Sequence, residues 1–243
     1  SLHGAFTCPN RDGTLGRGGC TFCNVASFVD EQTQVVSIRQ QLAQRADEAS
    51  RARRYLASFQ AYTSTYAEVD YLRQMYEEAL GVADIVGLCV GTRPDCVPDA
   101  VLDLLASYRQ QGFEIWLELG LQSANEETLK RINRGHGYRA YEDAVIRAQA
   151  RDLKVCTHLI VGLPGEVAMD SLATLQQVVR TEDEVARLGG NSFGLLLRKA
   201  DIVLARHLAH RLAMAFEHPI QLDDQTIDLS AGVGIACWPQ HAA

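Results

Sequence analysis

From its start to about residue 180 the chain alternates short apolar runs with amphipathic stretches. That alternation is the pattern of repeated β/α units around a parallel sheet. The predicted strands are Leu2 to Phe6, Tyr55 to Tyr62, Asp84 to Gly91, Glu114 to Leu121 and Lys154 to Val161, each followed by a loop and a helix. In the first helix Ile38, Leu42 and Ala49 share a face, and in the second Val69, Leu72, Tyr76 and Leu80 recur at helical spacing. Pro98 stands where a third helix begins, ahead of Val101, Leu102 and Leu105. Leu129, Ile132, Val145 and Ala148 mark the fourth and fifth helices, and Leu172, Leu175 and Val179 a sixth from about Ala168 to Val179.

The pattern changes after Val179. Asp183 to Leu197 reads as a hairpin with glycines at its turn, a helix follows from about Ala200 to Phe216, and alternating residues from Thr226 to Trp238 suggest one more strand pair. The chain is therefore expected to comprise two parts, residues 1–179 and 180–243.

Composition narrows the picture. With 243 residues and 47% hydrophobic side chains, the chain can bury one substantial core or a core plus a small second domain. The formal charge of −7 gives no whole-chain basic field to attract nucleic acid or an anionic membrane. Arg39, Arg45, Arg51, Arg53 and Arg54 crowd one stretch, which reads as a solvated helix face. No apolar run is long enough to cross a bilayer and no signal peptide is recognisable, so no membrane association and a cytoplasmic location are expected. The first residue is Ser1 and not Met, which reads as a fragment or a processed chain.

In parallel β/α folds ligands gather at the carboxyl ends of the strands. The polar residues predicted there are Cys8 to Cys23 after the first strand, Gln60 and Thr63 after the second, Thr92 and Arg93 after the third, Glu118 and Gln122 on the fourth, and His158 with Gly162 to Glu166 on the fifth. Of the seven cysteines, Cys8, Cys20 and Cys23 share one glycine-rich loop, and a C-x2-C pair in a chain without secretory features favours metal or redox chemistry over disulfides. Three thiolates on a four-iron cluster leave one iron open, whereas a zinc site needs a fourth ligand, for which His3 is the nearest candidate. From the residues alone the two stand level. Cys89 and Cys156, inside apolar runs, read as small buried hydrophobes. Glu118 also reads as a paired strand carboxylate, His158 as a satisfied core histidine, and Arg93 and Arg134 as surface ion pairs of little weight.

Thr7-Cys8-Pro9-Asn10-Arg11-Asp12-Gly13-Thr14, Gly18-Gly19-Cys20-Thr21-Phe22-Cys23-Asn24, Phe59 to Thr65, Gly91-Thr92-Arg93-Pro94-Asp95, Glu118 to Ser123 and His158 to Glu166 occur in that order. Together they resemble a bacterial branch of radical S-adenosylmethionine (SAM) proteins related to the catalytic subunit of Elongator, over about residues 1 to 178. The resemblance implies a partial (β/α)6 barrel, here truncated after its fifth strand unit. It further implies a [4Fe-4S] cluster on Cys8, Cys20 and Cys23 and SAM on the open iron, cleaved by an electron from an external donor to a 5′-deoxyadenosyl radical. Phe22 would lie near the adenine, Glu118 and Gln122 near the ribose and methionine part, and Val161 with Gly162 near the adenine. Gln60, Thr92 and His158 complete the expected cofactor-binding set. The substrate is not readable; relatives of the Elongator type act on transfer RNA.

The tail, about residues 180 to 243, resembles the second half of a GGDEF domain, the diguanylate cyclase module, through its hairpin, Ala200-Asp201, Pro219-Ile220 and Ser230 to Ala236. The signature reads Gly189-Gly190-Asn191-Ser192-Phe193, so the acidic pair that would bind metal is replaced by an amide and a hydroxyl. The first half of the module is missing. An α+β half domain with uncovered strands is expected to be poorly ordered or packed in a compromise arrangement, and nucleotide sensing without catalysis is its remaining signalling role.

Overall fold

The structure, a computed structural model, describes residues 2–23, 37–46, 54–160, 162–166, 168–178, 184–189, 192–196, 220–222 and 225–227. It divides into two compact units, Ser1–Leu159 and Ile160–Ala243.

In the first unit β1 (Tyr55–Phe59), β2 (Ile85–Thr92), β3 (Glu114–Gln122) and β4 (Lys154–Leu159) form one open parallel sheet in the order β1-β2-β3-β4. Parallel neighbours need crossovers, and α3 (Val69–Leu80), α4 (Asp99–Gln110) and the pair α5 (Glu126–Arg131) and α6 (Tyr138–Gln149) supply them. The α/β class and the parallel sheet expected from the periodicity are thus present, in the form of an open sheet that corresponds to part of a barrel. The segment before the sheet carries α1 (Pro9–Asp12) and α2 (Ile38–Ala46).

The predicted first strand, Leu2 to Phe6, shrinks to one parallel bridge, Leu2 to Phe59, with the Leu2 amide donating to the Ser58 carbonyl at 2.6 Å. Ala5 explains it, because its φ of +52° breaks an extended run. Other strand ends are set the same way: Tyr62 at φ +62° lies past the end of β1, and Asp84 at φ +70° lies before β2. β3 ends in an irregular register between Gly120 and Gln122, with Gln122 at φ +77°. Pro98 takes the N-cap of α4, just outside the first helical turn.

Alternate residues of a strand face opposite ways. Leu88 and Val90 of β2 and Ile115, Leu117, Leu119 and Leu121 of β3 are fully buried, as are Leu72 and Tyr76 of α3 and Leu102 and Leu105 of α4, the helices that pack on this face. Each such leucine contributes about 1.5–3 kcal/mol of transfer free energy. The other face is different. Register aligns Cys89, Trp116 and Lys154 across β2, β3 and β4, and then Gly91, Glu118 and Cys156 one step nearer the carboxyl ends. One face therefore holds the helices, and the other presents polar side chains and gaps.

In the second unit α7 (Ala168–Val178) is followed by an antiparallel hairpin of β5 (Glu184–Gly189) and β6 (Ser192–Leu196), as the glycine pattern predicts. A short antiparallel pair, β7 (Ile220–Leu222) and β8 (Gln225–Ile227), comes later. The predicted helix from Ala200 to Phe216 and most of the final strand pair lie outside the described residues.

Replacing Leu119 by Ala is expected to cost about 2–5 kcal/mol, read as a fall in the urea unfolding midpoint. Leu15→Ala, on an exposed side chain, should stay within about 0.5 kcal/mol of the parent.

Candidate functional site

The cysteine loop is built by its own backbone. Pro9 opens α1 directly after Cys8, whose carbonyl accepts from Arg11 N at 2.8 Å and Asp12 N at 3.0 Å. Gly13 ends that turn at φ +100°. Leu15 N and Gly16 N then donate to Pro9 O, Gly19 N to Asn10 O at 2.9 Å and Cys23 N to Cys20 O at 3.0 Å. A Cβ on Gly16 would stand 2.6 Å from Asn10 Oδ1, so only glycine fits there. Thr63 N donates to Thr7 O at 3.2 Å, and the Thr14 and Tyr66 hydroxyls meet at 3.0 Å. These bonds seat the loop at the carboxyl end of β1.

A turn far along the chain clamps it. Asn10, 1% exposed, donates Nδ2 to Asn133 O at 2.6 Å and to Cys20 Sγ at 3.6 Å. Asn133 Nδ2 answers on Gly19 O at 2.7 Å, and Thr21 N donates to Ile132 O at 3.0 Å. The turn itself is fixed from both sides. Asn125 caps α5 through bonds from Glu127 N and Thr128 N, and Glu126 Oε1 accepts from Tyr138 N, the first residue of α6, at 2.8 Å.

Arg93 and Arg134 are not surface ion pairs. They are 2% and 6% exposed, because Arg93, just after β2, and Arg134, in the turn between α5 and α6, both reach inward into this clamp. Arg93 is held by Asp95 through Nε at 2.9 Å and Nη2 at 2.8 Å, and donates Nη1 to Arg134 O at 2.9 Å. Arg134 donates Nη1 to Cys20 Sγ at 3.5 Å and Nη2 to Gly120 O, while its buried Nε has no partner. A Cβ at position 120 would come 2.8 Å from Arg134 Nη2, which is why β3 carries a glycine there. No carboxylate pairs with Arg134 among the described residues. A buried cation without a counter-ion costs several kcal/mol, and the group facing it is the sulfur of a buried cysteine. That arrangement suits a thiolate or a thiolate-held anionic group. His136 follows in the same turn, its imidazole pushed down to about 4 by burial and then by Arg134, so it is neutral at pH 7.

On the polar face of the sheet three of the predicted residues meet. Glu118, 8% exposed, accepts from Gln60 Nε2 at 3.2 Å and stands 3.5 Å from His158 Nε2. Burial alone would lower His158, but hydrogen bonds with Cys156 and Glu118 outweigh it and the imidazole is pushed up to about 9. With 40% of its side chain exposed, His158 is a charged partner at an opening and not a core histidine. Glu118 is the paired carboxylate the sequence allowed for. Thr92 does not join them: it lies on the helix-facing side, buried, with its hydroxyl 2.6 Å from that of Thr65. Gln122 sits on the irregular end of β3, its Nε2 beside Gly120. Phe22 is half-buried, Gly162 turns the chain at φ +83° in the second unit, and Val161 lies outside the described residues. A groove of about 400 Å³ beside Ala106, Arg109, Phe113 and Arg151 lies at the opposite, amino end of β3 and carries none of this chemistry.

Cys8 is half-buried, Cys20 buried and Cys23 exposed. Among the described residues no three His, Cys, Asp or Glu side chains stand close enough to hold a metal ion, so the three sulfurs share a loop without being gathered. The donor types fit an iron–sulfur cluster: three thiols, a backbone rich in glycine, and a buried cation on one sulfur. The residues missed in the sequence are Asn10 and Asn133. Asn133 and Gly135, both at positive φ, signal a turn, but nothing local shows that its partner lies 123 residues away.

A family model of the Radical SAM superfamily matches residues 11–178. The chain belongs to the radical SAM superfamily. A second model, that of the diguanylate cyclase GGDEF domain, matches residues 165–243. Protein YhcC of Escherichia coli K12 is 56% identical over 239 residues, covering 98% of this chain and 74% of that one. YtqA of Bacillus subtilis is 41% identical over 170 residues, covering 68% of this radical SAM chain and 52% of YtqA. The solved structure of coproporphyrinogen III oxidase (HemN) from Escherichia coli, titled a radical SAM enzyme, gives a TM-score of 0.46 at 20% identity over 66% of this chain and 38% of that one. No helix among the described residues is long and apolar enough to cross a membrane.

The His158 ring protons should titrate by NMR with a midpoint of about 9, and Glu118→Gln should move it toward the ordinary 6.5. The folded-state value lies above the unfolded one, so the pair stabilises fully below about pH 6.5 and loses that contribution as pH rises through about 9.

Proposed function

We propose that this chain is a radical SAM enzyme whose Cys8, Cys20 and Cys23 hold a [4Fe-4S] cluster and whose strand ends bind SAM. The observation that carries the reading is the buried Arg134 guanidinium on Cys20 Sγ with no carboxylate among the described residues to balance it. When bound, the cluster supplies the electron that cleaves the sulfonium of SAM reductively. The chain's own residues orient and exclude water. Arg134 and Asn10 fix the Cys20 sulfur, and Arg93, tied to Asp95 and to the Arg134 carbonyl, holds the turn that carries them. Gln60 and His158 hold the Glu118 carboxylate at the sheet end, where the resemblance puts the ribose and methionine part.

A zinc module on the same cysteines finds less support. His3, its candidate fourth ligand, already accepts from Ala5 N through Nδ1 at 3.1 Å, and its backbone is paired with Gln41 on both sides. The tail reads as a GGDEF-derived segment without cyclase activity, since Asn191 and Ser192 stand where two carboxylates would bind divalent cations. Transfer RNA as substrate rests on the Elongator resemblance alone, and the charge of −7 lends it no electrostatic support.

Anaerobic reconstitution should give a brown protein with iron and sulfide in equal amounts that releases 5′-deoxyadenosine from SAM on reduction. Single Cys8→Ala, Cys20→Ala and Cys23→Ala variants should lose that release. A colourless protein that keeps zinc in place of iron would overturn the reading.

A further inference from the structure

Two nitrogen donors converge on the Cys20 sulfur: Asn10 Nδ2 at 3.6 Å and Arg134 Nη1 at 3.5 Å. Neither is free to swing away. The Asn10 amide is also bonded to Asn133 O at 2.6 Å, and a Cβ on Gly135 would stand 3.3 Å from its Oδ1. Arg134 is anchored by Nη2 on the Gly120 carbonyl, under a residue whose missing side chain leaves it the space. One donor is neutral and the other carries a full charge, and both are buried, where electrostatic interactions are screened far less than in water.

We propose that Asn10 and Arg134 are positioning residues that set the reduction potential of the cluster held by Cys20. The inference rests on the cluster reading given above. Reduction adds one negative charge to the cluster and its thiolates. Hydrogen bonds and a fixed cation at a ligand sulfur stabilise the reduced form more than the oxidised one, and so raise the potential. The donors are present in both states, so only the part of their interaction that strengthens on reduction moves the equilibrium, about tenfold for a buried full charge. Arg134 thereby makes the cluster easier to reduce, and Asn10 adds a smaller effect of the same sign.

The test is a mediated potentiometric titration of the reconstituted full chain without SAM, followed by the paramagnetic signal of the reduced cluster. Arg134→Gln should disfavour reduction about tenfold, equivalent to about 59 mV for one electron. Asn10→Ala should shift the same way by less, and Arg134→Lys, which keeps the charge without the planar fork, should fall between Arg134→Gln and the parent. Asn133→Gly is the structural control. It removes the bond to Gly19 O across the same clamp, accommodates φ +52°, and leaves both sulfur donors in place, so its potential should match the parent. Variants with parental iron and sulfide content that all titrate with the parent would overturn the inference, as would an Asn133→Gly shift equal to that of Asn10→Ala. Should Arg134→Gln hold no cluster, Arg134→Lys and Asn10→Ala decide, since both must titrate below the parent. A parent chain that takes up no iron and sulfide overturns the cluster reading instead, before any variant is compared.

Discussion

The structure turns on one contact: a buried arginine with no acidic partner among the described residues, lying on the sulfur of a buried cysteine. A protein interior tolerates an unbalanced cation poorly, and every neighbouring feature serves to keep this one in place. Gly120 leaves it room, the Gly120 carbonyl accepts a hydrogen bond from its Nη2, and Arg93 grips its backbone. The cysteine loop and the turn between α5 and α6 are therefore one unit in physical terms, although α2, α3, α4, α5 and three strands separate them in sequence.

The sheet divides its labour by face. Leucines and isoleucine on one side bury α3 and α4, and that side supplies the stability. The other side carries Glu118, Cys156 and His158 in adjacent register, with Gly91 beside them offering no side chain. Gly91 cannot readily be enlarged, since a Cβ there would stand 3.1 Å from the Phe59 carbonyl. The carboxylate is held by one neutral and one charged partner, Gln60 and His158, contributed by the loop after β1 and by β4.

The periodicity revealed four of the five strands and the helices between them because burial there follows the simple alternation of residues such as Leu117, Leu119 and Leu121. It overstated the first strand, where Ala5 adopts a conformation that no apolar pattern encodes. Glu118 and His158 could be read from their place at strand ends, and the structure brings them together. Thr92 could not, because a one-residue difference in register decides which face of β2 it joins. Arg93 and Arg134 looked like surface charges because their partners are two backbone carbonyls, a neighbouring aspartate and a distant sulfur, of which only Asp95 is near in sequence. Asn10 was invisible for the same reason.

The separation of 114 residues between Arg134 and Cys20 has a consequence for biogenesis. A growing chain emerges from its amino end, so Cys20, with Cys8 and Cys23 in the same loop, leaves the ribosome long before the turn that covers it has been made. For that interval the thiols stand open to oxidants and stray metal ions. On the proposed cluster reading, loading with iron and sulfide is best timed after α5 and α6 have folded, and a partly synthesised chain is the form most exposed to damage.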